Sequence, residues 1–117
     1  MDDEPDIVAI LKLGLIRQGF NVITFTNPNL ALRHFSLNHK GYDLVISDIR
    51  MPNMNGFEFI KKVKELKPTV KVFFMTAFEI NPDEWLNVLP SVKIDEFIEK
   101  PFALEKVGKL ISTVFGS

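Results

Sequence analysis

Asp43-Leu44-Val45-Ile46-Ser47-Asp48 is the stretch on which the fold turns. Its centre is a near-continuous aliphatic run without polar alternation, which is what a strand buried on both faces requires. The run ends on a carboxylate, Asp48. Positions 49–55 are rich in turn formers, and from 57 to 66 the residues Phe59, Ile60, Val63 and Leu66 fall on one helical stripe that Pro68 closes. A buried strand, a polar loop and an amphipathic helix therefore follow one another in about 25 residues, the signature of one unit of an α/β sheet.

The same unit recurs on both sides. Val70 to Met75 reads as another buried strand and ends at Thr76, after which Asn81-Pro82-Asp83-Glu84 carries the cap, proline and acidic first turn of a helix that should stop near Pro90. A short strand over 96–99 leads into Lys100-Pro101-Phe102, and Leu104, Val107, Leu110, Ile111 and Val114 supply the buried face of a final helix. Upstream, Phe20 to Phe25 is a β-branched and aromatic stretch, followed by Asn27 and Pro28 as N-cap and first position of a helix ending near Gly41. Before it, Ile7, Ile10, Leu11, Gly14 and Leu15 recur at helical spacing between Pro5 and Gly19. Alternating strands and helices predict an α/β fold, a doubly wound parallel sheet covered on both faces. One feature breaks the pattern: such a unit should open on a strand, yet Met1 stands almost directly before the first helix, so the first strand is missing or truncated.

Length and composition agree with one domain spanning 1–117, since a chain of 117 residues rarely fills two cores. Fourteen basic residues against fifteen acidic ones leave a formal charge of -1, too little field to draw the chain onto nucleic acid or anionic lipid, so no direct nucleic-acid binding is expected. Cysteine is absent, which removes disulfides, thiolate metal sites and cysteine nucleophiles and suits a cytoplasmic setting. No apolar run approaches the roughly 20 residues of a membrane span, and the acidic start is unlike a signal peptide; no membrane association is expected.

Ligands of open α/β sheets bind outside the carboxyl ends of the strands, so the polar residues there are the ones to collect. Asp2 and Asp3 lie where a first strand would have ended, and Asp48, Thr76 and Lys100 end or follow the later ones. Taken singly, Lys100 reads as a surface lysine, Thr76 as a strand-end hydroxyl and Asp2 and Asp3 as helix N-terminal charges; their weight is joint. Three carboxylates brought together need compensation, and a hard divalent cation with oxygen ligands, Mg2+ best of all, provides it while leaving room for phosphate oxygens. Lys100 and Thr76 would neutralise and hydrogen-bond a phosphoryl group, and Asp48 would act as the nucleophile that accepts it. His34 and His39 have no metal-ligand company and read as surface or boundary residues.

Four segments together resemble the receiver domains of two-component response regulators: Asp2-Asp3-Glu4-Pro5-Asp6, Val45-Ile46-Ser47-Asp48-Ile49-Arg50-Met51-Pro52 through Asn55-Gly56, Met75-Thr76-Ala77, and Phe97-Ile98-Glu99-Lys100-Pro101-Phe102. The resemblance implies a flavodoxin-like sheet of strand order 2-1-3-4-5, with Asp48 as phosphoacceptor and Asp2, Asp3, Asp48 and the Arg50 carbonyl holding Mg2+. It further implies Thr76 and Lys100 as the phosphate-contacting pair, Thr76 and Phe97 as the switch, and a cis Lys100-Pro101 bond. Implied partners are a histidine kinase or phosphotransfer protein and a downstream protein or effector domain. Arg50 and Phe78 occupy positions that in the family tune the lifetime of the phosphoryl group.

The missing strand is the main departure. In the family it lies mid-sheet, and its loss would leave two rows of backbone groups unpaired, which buried structure does not tolerate. A strand exchanged in a homodimer, direct pairing of the flanking strands, or a true start further upstream would each resolve this. An α-ammonium at Met1 would also stand beside Asp2 and Asp3 and compete with magnesium. Two other functions compete: an unphosphorylated dimerisation or interaction module, and an aspartyl-nucleophile phosphatase, against which Arg50 stands where such an enzyme needs a second carboxylate. A flavin domain is disfavoured because no glycine- and hydroxyl-rich phosphate loop follows any strand.

Overall fold

The computed structural model describes residues 1–49, 54–76 and 93–116. The helix expected to start at Asn81, with Trp85, and the positions Arg50 and Phe78 lie outside the described residues. Within them run α1 (Pro5–Arg17), α2 (Pro28–Asn38), β1 (Leu44–Asp48), α3 (Gly56–Leu66), β2 (Lys71–Thr76), β3 (Glu96–Glu99) and α4 (Leu104–Val114), with a 3-10 turn at His39–Gly41. Among the described residues no helix is long and apolar enough to cross a membrane.

Helix starts follow the chain's own signals. The Asn27 side chain accepts from the amides of Asn29 (2.8 Å) and Leu30 (3.3 Å), with Pro28 in the first turn, and the Asn55 side chain accepts from the Glu58 amide at 2.8 Å. Asn55 thus has the turn role its sequence position suggests, as the cap of α3.

The three strands are parallel in the order β1-β2-β3, with Ser47 opposite Phe74 and Phe74 opposite Phe97. They are the third, fourth and fifth strands expected from the sequence, in the expected order. In β2, Val72, Phe73, Phe74 and Met75 have no exposed surface. Their side chains alternate between two cores: Val72 and Phe74 pack with Ala31 and Phe35 of α2 and Phe59, Ile60 and Val63 of α3, whereas Phe73 and Met75 pack with Leu11 and Leu15 of α1 and Val107 and Ile111 of α4. Burial of each such side chain contributes about 1.5–3 kcal/mol, and the doubly wound layering follows from this division.

Three sequence expectations need correction. The buried stripe of α1 is Val8, Leu11 and Leu15, and Ile10 is 50% exposed. Leu66, the last residue of α3, is also exposed, and the buried face of that helix ends at Val63. Phe20 to Phe25 forms no strand. The strand state needs a ladder partner on at least one side, and among the described residues this segment has a single such bond, from the Asp2 amide to the Phe25 carbonyl at 3.3 Å.

Two glycines permit close approaches. A Cβ at Gly56 would lie 2.3 Å from the Asp48 carbonyl oxygen and 2.7 Å from Ile49 Cα, so α3 can start directly against the end of β1, where the Gly56 amide donates to the Ile49 carbonyl at 2.6 Å. A Cβ at Gly108, where α4 crosses the end of α1, would meet the Gln18 side-chain oxygen at 1.7 Å. Backbone cannot step aside, but the end of a glutamine can. Gly56→Ala is therefore expected to lower stability by about 1–3 kcal/mol. Gly108→Ala should be near neutral, because helix propensity returns about 1 kcal/mol against loss of the Gln18–Leu104 hydrogen bond. Urea denaturation of both variants checks this, and equal losses would contradict it.

Candidate functional site

The parallel register brings every strand to its carboxyl end on one edge. Asp48 ends β1 and is paired with Met75; Thr76 ends β2 and is paired with Glu99, one residue before Lys100. The Lys100 amide donates to the Thr76 carbonyl at 2.8 Å, and the Lys100-Pro101 bond is cis, as expected. Asp2 and Asp3 reach the same edge from the chain start, where the Asp48 amide donates to the Met1 carbonyl at 2.8 Å.

Three carboxylates converge there. Asp2, Asp3 and Asp48 each offer an oxygen within 4.8 Å of the others, with Asp2 fully buried, Asp48 7% exposed and Asp3 half-buried. The Lys100 ammonium donates to Asp2 Oδ2 at 2.7 Å and stands 3.5 Å from Asp48 Oδ2, with Glu4 further out at 3.8 Å. The second oxygens are also used: the Ile49 amide donates to Asp48 Oδ1 at 2.9 Å and the Glu4 amide to Asp2 Oδ1 at 3.0 Å. Asp2 therefore serves both readings its position allowed, as a helix-entry acceptor and as a member of the acidic cluster.

Burial pushes the Asp48 carboxyl above the usual carboxylate range, and the Asp2 charge adds to this; Lys100 and the Ile49 amide pull it back only in part. For Lys100, burial alone would favour the neutral amine, but the hydrogen bond to Asp2 and the charges of Asp2, Asp48 and Glu4 outweigh it and raise its pKa. The Met1 ammonium is lowered to about 6 by burial, against the pull of Asp2 and Asp48. It donates to the Ile46 carbonyl at 2.6 Å, whereas Lys100 is the cation that lies on the carboxylates.

The donor set suits a hard divalent cation. All three groups are carboxylates with ligand oxygens within 4.8 Å of one another, and among the described residues the cluster holds oxygen ligands only. Of the residues singled out in the sequence, Asp2, Asp3, Asp48, Thr76 and Lys100 share this edge. Phe97 does not join them: it is half-buried below the edge, with its ring centroid 6.0 Å from that of Phe74 on the α2 and α3 side. Sequence reasoning anticipated the Met1 α-ammonium near Asp2 and Asp3, which donates instead to the Ile46 carbonyl, and missed the Ile49 amide, for which no side-chain signal exists. His34 is a boundary residue in contact with the Tyr42 hydroxyl.

A raised pKa means that folded Asp48 holds its proton more tightly than the unfolded chain does. Its ionised form therefore subtracts from stability at neutral pH, and that cost fades as pH falls through the folded value. Asp48→Asn is expected to raise the melting temperature of the metal-free protein near neutral pH, with a smaller advantage in acid. Calorimetry in chelator across the pH range tests this, and a variant that melts lower at neutral pH would contradict it.

The family model described as response regulator receiver domain matches residues 1–112. Among curated proteins the chain is similar to the DNA-binding transcriptional regulator NtrC of Proteus hauseri, 33% identical over 111 residues that make up 95% of this chain and 23% of that protein. It is also similar to the alkaline phosphatase synthesis transcriptional regulatory protein PhoP of Bacillus subtilis, 27% identical over 97% of this chain and 46% of that protein. The chain thus spans less than half the length of these relatives. Among solved structures, the response regulator TrrA of Thermotoga maritima, in complex with magnesium and beryllium fluoride, superposes with a TM-score of 0.78 at 32% identity, covering 97% of this chain and 93% of that one. The Vibrio cholerae chemotaxis protein CheY4 gives a TM-score of 0.85 at 27% identity, covering 97% and 92%. With this fold, this carboxyl-edge cluster and a family match over nearly its whole length, the chain belongs to the response regulator receiver domain family.

Proposed function

We propose that the chain, acting as one receiver domain over 1–117, accepts a phosphoryl group on Asp48 from a histidine kinase or phosphotransfer protein. The observation that carries this reading is the buried Asp48 carboxylate, flanked by Asp2 and Asp3 and 3.5 Å from the Lys100 ammonium. The phosphorus–nitrogen bond of a phosphohistidine donor breaks, its electron pair leaves with the imidazole, and an Asp48 oxygen forms the new bond to phosphorus. The Ile49 amide fixes one Asp48 oxygen, which orients the carboxylate for attack by the other. Lys100, 3.5 Å from Asp48, would neutralise oxygens added there, and Thr76, at the neighbouring strand end, would donate to them.

Asp2, Asp3 and Asp48, with the Arg50 carbonyl as the resemblance implies, would hold Mg2+, whose charge neutralises phosphoryl oxygens in the transition state. Regulation is the role expected of a receiver, with catalysis confined to its own modification. Phe97, half-buried beside Phe74, is the aromatic that would move with Thr76 to alter the surface offered to a downstream protein or effector domain, in the cytoplasm.

A second reading, an interaction module that is never phosphorylated, is favoured by one observation: the Lys100 ammonium lies 2.7 Å from Asp2, so a cation of the chain itself already compensates part of the cluster. Acetyl phosphate with and without magnesium, read by intact mass, separates the two. We expect a magnesium-dependent gain of one phosphoryl group in this chain and none in Asp48→Ala. No gain in a folded sample would favour the interaction module.

A further inference from the structure

Asn55-Gly56 is the one Asn-Gly pair in the sequence. Elsewhere asparagine is followed by proline, which has no amide hydrogen, or by a residue whose side chain screens its own amide. Glycine has no Cβ to do so, and the Gly56 nitrogen is therefore free by its chemistry to attack the side-chain carbonyl carbon of Asn55. The new nitrogen–carbon bond closes a five-membered succinimide, and the side-chain nitrogen leaves as ammonia with the proton that the Gly56 amide gives up. Water then opens the ring at either carbonyl and leaves an aspartate or an isoaspartate at that position. One water is consumed and one ammonia released, with no oxidant or other co-reactant.

The fold holds the two reacting groups out of line. A five-membered ring is nearly flat, so closure needs the Gly56 nitrogen eclipsed with the Asn55 Cα–Cβ bond and the side chain eclipsed with its own backbone carbonyl, off any staggered rotamer. At the observed ψ of 157° the nitrogen is turned well away from that bond. It is also fixed there, because the Gly56 amide donates to the Ile49 carbonyl at 2.6 Å, in a contact so close that a Cβ would strike the Asp48 carbonyl oxygen and Ile49 Cα. The Asn55 side-chain oxygen accepts from the Glu58 amide at 2.8 Å, and its nitrogen lies 3.5 Å from Glu58 Oε1. Rotation of ψ toward closure breaks the Ile49 bond and the cap together and lifts the first turn of α3 off β1. Asn55 itself is exposed, so water reaches it.

We propose that Asn55-Gly56 is a deamidation site gated by α3, closed while the start of that helix is seated against the end of β1 and open when it lifts away. The two products then behave differently. An aspartate keeps an oxygen for the cap, and its charge suits a helix N-terminus. An isoaspartate adds a methylene to the main chain where Gly56 already has no room to spare, so the contact with β1 cannot be restored. Because β1 ends on Asp48, that lesion falls beside the acidic cluster.

The test incubates the protein folded and in urea at one pH and temperature, and follows conversion of amide to acid by mass in the peptide that holds residues 55 and 56. This readout does not depend on whether Asp48 accepts a phosphoryl group. Conversion in the folded protein is expected to be slower by about tenfold or more, with hydrogen exchange of the Gly56 amide slowed alongside it. Phe59→Leu loosens the buried seat of α3 without touching the pair, and should speed conversion in the folded protein while leaving the rate in urea unchanged. Equal rates folded and in urea would overturn the proposal. So would a Gly56 amide that exchanges as freely folded as unfolded, or a folded Phe59→Leu variant that deamidates at the parent's rate.

Discussion

Parallel pairing of three strands through β2 is the constraint on which the rest of the molecule depends. Because β2 is buried on both faces, it can be covered only by helices on both sides, and each crossover must return the chain to the same end of the sheet. The amino acids that terminate the strands are therefore delivered to one edge whatever their chemistry. Asp48, Thr76 and Lys100 are neighbours for this reason and not because of any attraction between them.

Once delivered, they interact strongly. Two largely buried carboxylates at such an edge repel, and loss of water raises the cost of charging either one. Lys100 relieves part of that cost by sitting on Asp2 and near Asp48, yet Asp48 remains harder to ionise than a free aspartate. A site left electrostatically unfinished in this way gains from any cation or phosphoryl group that completes it, which connects the resting geometry to a switching role. The close start of α3, made possible by Gly56, sets that helix against the end of β1 through the Ile49 carbonyl.

Beside β1, α1, α2 and α4 stand around a cavity whose apolar lining includes Leu11, Leu15, Leu44, Ile46 and Ile111. Met1 and Asp2 lie along the end of β1 nearest the acidic cluster, where the Asp48 amide donates to the Met1 carbonyl, so this backbone pairing also positions Asp2. Segment 20–25, with one ladder bond instead of a full set, remains outside the sheet.

Periodicity and punctuation in the sequence determined the four described helices, the three buried strands, the cap at Asn27, and the set of polar residues at strand ends, since these follow from local backbone preference and from burial on one face or two. Tertiary structure decided the rest. It chose Val8 over Ile10 for the core, turned Leu66 to solvent, withheld strand structure from 20–25, and put Lys100 on Asp2 more closely than on Asp48. Each of these depends on what lies across space from a residue: a neighbouring helix, a ladder partner or a competing carboxylate. The Ile49 amide that fixes one Asp48 oxygen carries no side-chain signature at all, so only the folded chain could place it.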